Sequence, residues 1–119
     1  MVGVPTSLRP LAVAWLPVVA WASLIFALSS VAGLASGLGT LDLVLRKAAH
    51  AGEYAILGSL LLRAIGRELP SFVAGVLYAV SDELHQHFVP GRVGAPLDVA
   101  IDAGGVLLGI LALSRWRSR

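Results

Sequence analysis

The sequence predicts an all-α protein: a small polytopic integral membrane protein with four transmembrane helices in one bundle. Three observations carry that expectation. Only 13% of the 119 residues are charged, against roughly 25% in an average soluble domain, too few to cover a water-soluble fold. The mean hydropathy is correspondingly high, +0.85. The apolar residues also fall into four stretches, each near the length of about 20 residues that a helix needs to cross the hydrocarbon core. Residues 1–119 are therefore expected to form a single transmembrane domain.

The first span is expected over about 10–29, an uncharged run that contains Pro17, a residue expected to kink the helix and one that neighbouring helices tolerate in lipid. A cleaved signal peptide is the rival reading, because Arg9 precedes the run. The run is longer than a typical signal core and no small-x-small cleavage site follows, so a retained span is favoured. Ser30 to Leu41, rich in Gly, Ser and Ala, reads as a loop, with Thr40 as a helix N-cap. The second span is placed at about 46–65. Gly66 and Pro70 bracket the short connection GRELP, which makes spans two and three antiparallel neighbours. The third span covers about 71–88, apolar until Ser81 and polar after it. Val89 to Pro96 is a turn by its Pro and Gly content, and the fourth span follows at about 97–113. Trp116, in the closing SRWRSR, suits the interfacial aromatic belt.

With four spans the termini share a side. Arg9, Arg63, Arg67, Arg115, Arg117 and Arg119 lie on that side, and Arg46, Lys47 and Arg92 on the other. The surplus of basic residues predicts that both termini are cytoplasmic. No basic cluster is interleaved with aromatics, which argues against a nucleic-acid partner. Cys is absent, so disulfides and thiolate metal ligands are excluded.

Against this apolar background, Ser81 to Asp102 packs in acids, histidines, a glutamine and an arginine. A helix rises 1.5 Å per residue, which fixes their depth. His50 and Glu53 lie near the outer start of span two. Asp82, Glu83, His85 and Gln86 occupy the outer end of span three, and Asp98 and Asp102 the outer start of span four. Three helices thus bring polar groups to the same outer third of the membrane. On span four Asp98, Asp102, Gly105 and Gly109 form one stripe, whose GVLLG segment is a GxxxG pattern for close helix approach. Span two carries a similar small-residue row, Ala51, Ala55 and Gly58. Glu83 and His87 point away from this face, Glu83 towards Arg46 or Lys47 and His87 towards solvent.

The same residues resemble the VanZ-like family. The resemblance rests on H-x-x-E-Y (His50, Glu53, Tyr54), D-E-x-H-Q-x-F-x-P-G-R (Asp82 to Arg92), and D-x-x-x-D-x-x-G (Asp98, Asp102, Gly105). It extends to W-x4-F-x2-SS in span one (Trp21, Phe26, Ser29, Ser30). Asp102 departs from the pattern, since many members carry Asn there, and a second carboxylate raises the local negative charge. The resemblance implies a membrane protein of the bacterial envelope, linked through the founding member to antibiotic resistance of the glycopeptide type, specifically to teicoplanin.

Four readings of the polar cluster follow. In the plainest it is an ion-pair network that fixes helix register, with Arg46, Lys47 and Arg92 set against Glu53, Asp82, Asp98 and Asp102. Ionisable groups inside a membrane cost roughly 2.5–3.5 kcal/mol each on insertion scales, more than register requires when GxxxG packing already sets it. In the favoured reading the cluster is an outward-facing pocket for an anionic envelope lipid, such as a polyprenyl-phosphate-linked precursor. His50, Glu53, Asp82 and His85 are then the candidate acid–base groups, and Gln86, Arg92, Asp98 and Asp102 the substrate-binding ones, with Arg92 gripping phosphate. A third reading is a metal-dependent membrane hydrolase, with a divalent metal drawing on His50, Glu53, Asp82, His85, Asp98 and Asp102. The fourth is a non-enzymatic accessory or transport protein; transport is disfavoured because, apart from Arg63, the cytoplasmic half of the bundle lacks polar groups to continue a path.

Overall fold

A computed structural model describes residues 8–29, 40–88 and 96–118, all but a few of them helical. The four helices are α1 (Leu8–Ser29), α2 (Thr40–Ile65), α3 (Glu68–His87) and α4 (Pro96–Arg117), with no strand among the described residues. At 1.5 Å per residue the shortest, α3, is roughly 30 Å long, about the thickness of a bilayer's hydrocarbon core. Two of the four, α1 and α4, are also apolar enough throughout to qualify as membrane spans.

The helices extend beyond the predicted spans, for local reasons. α2 begins at Thr40, the residue expected to cap it, so Leu41 belongs to the helix and not to the preceding loop, of which 30–39 lie outside the described residues. The predicted GRELP connection shrinks to Gly66 and Arg67. Gly66 adopts φ +84°, a left-handed conformation open to glycine, and its N–H donates to Leu62 O at 2.8 Å, closing α2. Pro70 falls in the first turn of α3, where its missing N–H breaks no helical bond. Pro96 opens α4 in the same way. At its far end α4 continues through Ser114 to Arg117, so most of the predicted tail is helical. α1 runs unbroken through Pro17. The predicted turn spans Val89 to Pro96; Pro96 belongs to α4, and 89–95 lie outside the described residues.

α2 is the central helix, packed against all three others, and its most extensive partner is α4. The reason is steric. A side chain added at Gly105 or Gly109 would collide with the backbone carbonyl of Ala51 or Ala55, and one at Gly58 with that of Val106. The small-residue row of α2 therefore lies directly on the glycine stripe of α4, as the two patterns imply. Residue numbers rise together along the contact, so α2 and α4 are parallel. α3 runs antiparallel to them: Gly58 and Gly75 flank Val106 from two sides, while Tyr54 reaches Asp82. α1 parallels α3, with Ala22 beside Tyr78 and Phe26 beside His85. Val18, Ile25, Tyr54, Leu57, Leu61, Ala79, Val106 and Ile110 form the buried apolar core.

The polarity of α3 is inverted relative to a water-soluble helix. Its buried face is Ser71, Gly75, Ala79, Asp82 and Gln86, whereas Leu69, Val73, Leu77, Val80 and Leu84 face outwards. The exposed side of α1 carries Leu11, Val13, Leu16, Val19 and Leu24, and that of α4 carries Leu107, Leu108 and Leu111. Apolar surface on this scale does not suit contact with water.

Backbone contact at the glycines predicts a sharp contrast between neighbours. Gly109→Ala is expected to destabilise the bundle by about 1–3 kcal/mol through overpacking. Gly104→Ala, whose methyl would meet nothing within 4 Å, is expected to be neutral or to stabilise by up to about 1 kcal/mol through helix propensity. Thermal unfolding of the two variants in detergent measures the difference.

Candidate functional site

The polar side chains gather where α1 and α3 end and α2 and α4 begin. The register of α2 against α4 creates two pairs one turn apart. Lys47 and Asp98 meet at the open end, with Nζ 2.5 Å from Oδ1. Further in, His50 Nδ1 lies 2.8 Å from Asp102 Oδ1. An ionised Asp102 can only accept, so Nδ1 donates and Nε2 is left to take up or release a proton. Asp102 is only 2% exposed.

α3 contributes Asp82, 1% exposed. Its Oδ2 accepts from Tyr54 Oη at 3.0 Å and from Gln86 Nε2 at 3.4 Å. Its Oδ1 is buried and has no hydrogen-bond partner. Both donors to Asp82 are neutral groups. His50, Asp82 and Asp102 each bring one potential ligand atom to within 4.8 Å of the others. The His50 ring lies nearly parallel to that of Tyr54 at 5.8 Å, which limits its rotation.

A second set of contacts ties the site to α1. Trp21 Nε1 donates to Glu53 O at 2.9 Å, Tyr78 donates its hydroxyl hydrogen to Ala22 O, and Phe26 stacks on His85 with centroids 4.0 Å apart. Bonds of this kind to backbone carbonyls satisfy tyrosine and indole hydrogens that have no water to turn to.

The eight candidates from the sequence therefore separate. His50, Asp82 and Asp102 converge, Gln86 holds Asp82, and Asp98 sits one turn out with Lys47. Glu53 and His85, also proposed as acid–base groups and metal ligands, are half-buried and lie outside the convergent three; the main-chain carbonyl of Glu53 and the ring of His85 meet α1. Of the six proposed metal ligands, His50, Asp82 and Asp102 lie together. Arg92 lies outside the described residues. Lys47, one of the two partners suggested for Glu83, is taken by Asp98, and His87 is exposed. Tyr54 is the site residue the sequence left unassigned. It follows His50 by four positions, on the same helical face, and that spacing was the available signal.

Together these features define a class: an all-helical protein with two membrane-span-like helices that encloses a histidine–carboxylate centre. Residues 5–117 match the VanZ/LLP1 family. The match covers nearly the whole chain, and the protein belongs to that family. No curated protein and no solved structure matches it.

Tyr54→Phe removes the shorter of the two hydrogen bonds to Asp82 Oδ2 and leaves a buried carboxylate held by Gln86 alone. We expect a loss of about 1–3 kcal/mol, the penalty for stranding a buried polar group, measured as a lower unfolding midpoint in detergent.

Proposed function

We propose that the protein is a four-span component of the bacterial cytoplasmic membrane that binds the anionic headgroup of a cell-envelope lipid at the outward end of its bundle. The observation that carries this proposal is the convergence of His50, Asp82 and Asp102, from three different helices, inside a bundle whose outward faces are apolar. Ionisable groups within membrane helices mark functional sites by default. α2 and α3 are less apolar overall than α1 and α4, but Tyr54, Ser71, Asp82 and Gln86 are buried while Leu77, Leu84 and Ile56 face out, which supports counting them as spans. The excess of basic residues at the termini and at the α2–α3 connection supports cytoplasmic termini.

The ligand class follows from what surrounds the centre. Arg46 at the start of α2 and Arg92 in the connection between α3 and α4, beside the paired Lys47 and Asp98, supply positive charge for a phosphate at the membrane surface. His50 lies one turn deeper, in position to exchange a proton with a group held there. A polyprenyl-phosphate-linked lipid has the required chemistry, and such a wall precursor would connect the protein with teicoplanin sensitivity. Translocation is less well supported. In the opposite half of the bundle the hydroxyls of Ser59 and Ser71 bond to carbonyls of Ile56 and Arg67, leaving no polar path onward among the described residues.

Mass spectrometry of the lipids that co-purify with the protein tests the proposal. A phosphate-bearing lipid is expected with the wild type and is expected to be lost from Arg92→Ala and reduced in Asp82→Asn. Identical lipids on all three proteins would remove the basis for a headgroup site. The orientation is tested separately by fusing a compartment-sensitive reporter to the C-terminus. Activity on the cytoplasmic side is expected, and a signal outside the membrane would invert the site.

A further inference from the structure

We infer that His50, Asp82 and Asp102 form a binding site for a single divalent transition-metal ion of the zinc or manganese type. The inference goes beyond the headgroup proposal and stands without it. Three independent features point the same way.

The first is the stranded oxygen. Asp82 Oδ1 is buried without a partner, while Oδ2 of the same carboxylate is held by Tyr54 and Gln86. Leaving a buried acceptor unpaired costs about 1–3 kcal/mol, and more when the group is charged. A proton on Oδ1 would only exchange an unpaired acceptor for an unpaired donor. A cation, by contrast, uses the lone pairs directly. Fixing one carboxylate oxygen by hydrogen bonds so that the other can ligate is the usual outer-shell arrangement of metal sites.

The second is spacing. The three side chains each offer a ligand atom within 4.8 Å of the others. Metal–ligand distances of about 2.0–2.2 Å for nitrogen and oxygen place neighbouring ligand atoms roughly 3.3–3.6 Å apart around a tetrahedral ion. His50 Nδ1 and Asp102 Oδ1, at 2.8 Å, would part by about half an ångström to admit it. The ion would take the place of the proton these two atoms share without it. Asp82 then needs only a small side-chain movement to close the third corner.

The third is charge. Lys47 neutralises Asp98, but the two buried aspartates further in have only His50 between them, and the donors to Asp82 are neutral. One dication with two carboxylates and a neutral imidazole sums to zero, which suits a setting where net charge is penalised. One nitrogen and two oxygen ligands favour zinc or manganese over magnesium or calcium, which prefer all-oxygen shells. Three protein ligands leave a fourth position open, as in metal sites that bind an exogenous group.

Metal content and affinity of the purified, detergent-solubilised full chain decide the matter. The protein is stripped with a chelator, its zinc and manganese content is measured by mass spectrometry, and each ion is titrated back calorimetrically. One equivalent is expected to bind and to raise the unfolding midpoint, as a ligand of the native state must. Asp82→Asn and His50→Ala are expected to abolish stoichiometric binding, and Tyr54→Phe to weaken it about 10–100-fold as an outer-shell change. His87→Ala, an exposed histidine away from the centre, is expected to bind as the wild type does. Circular dichroism establishes that each variant is folded; if Asp82→Asn is not, His50→Ala and Tyr54→Phe carry the test. A folded wild type that binds neither ion, or binding that survives loss of Asp82 or His50, would overturn the site. Lipid retention by the stripped protein is scored separately, so failure of the metal site and failure of the headgroup site are distinguishable.

Discussion

The close approach of α2 and α4 is the constraint on which the rest depends. Ala51 and Ala55 lie with their carbonyls against Gly105 and Gly109, and Gly58 admits the backbone at Val106. Contacts of this kind tolerate no sliding, because a shift of one residue would drive side chains into the opposing backbone. They hold the two helices parallel in a single register, and that register places Lys47 on Asp98 and His50 on Asp102. The polar pairs are thus a consequence of packing one to three turns away. In an environment without a hydrophobic drive between helices, small-residue packing of this type is what brings helices together.

Inverted polarity is the second organising fact. α3 turns Ser71, Asp82 and Gln86 inwards and its leucines outwards, the reverse of a helix built to face water. α1 closes the remaining side. Its bonds from Trp21 to the carbonyl of Glu53 and from Tyr78 back to Ala22 make it an integral wall of the site, although it contributes no ionisable group there.

The sequence revealed the parts of this arrangement that depend on periodicity. Counting residues along each helix placed the acids and histidines at one level, and the three- and four-residue spacings of Asp98, Asp102, Gly105 and Gly109 predicted a stripe that is polar above and close-packed below. Helix ends were unevenly legible: Thr40 marked the start of α2 as a cap, whereas Glu68 and Ser114 carry no apolar signal yet lie within their helices. Rotation between helices was not legible at all. Glu53 is one turn from His50 and His85 one turn from Asp82, but only packing reveals that the carbonyl of Glu53 and the ring of His85 meet α1. Tyr54 was hidden for a different reason: a tyrosine in an apolar helix reads as an interfacial or core residue until its hydroxyl is seen against Asp82.

The three acids of the centre are not equivalent, and the difference bears on whether the cluster is structural or functional. Asp98 and Asp102 are each matched with a basic partner, as a network that merely fixed register would require. Asp82 is not so matched. It sits at 1% exposure with one oxygen gripped by two neutral donors and the other bare. Replacing buried ionic groups with well-packed apolar residues is often neutral or stabilising, and the glycine contacts already set the register, so a structural network has no need of this carboxylate. The side chains around it hold it in one orientation without satisfying it. That combination, a fixed acid with a free oxygen beside a histidine–aspartate pair, is the observation on which the proposed metal site rests.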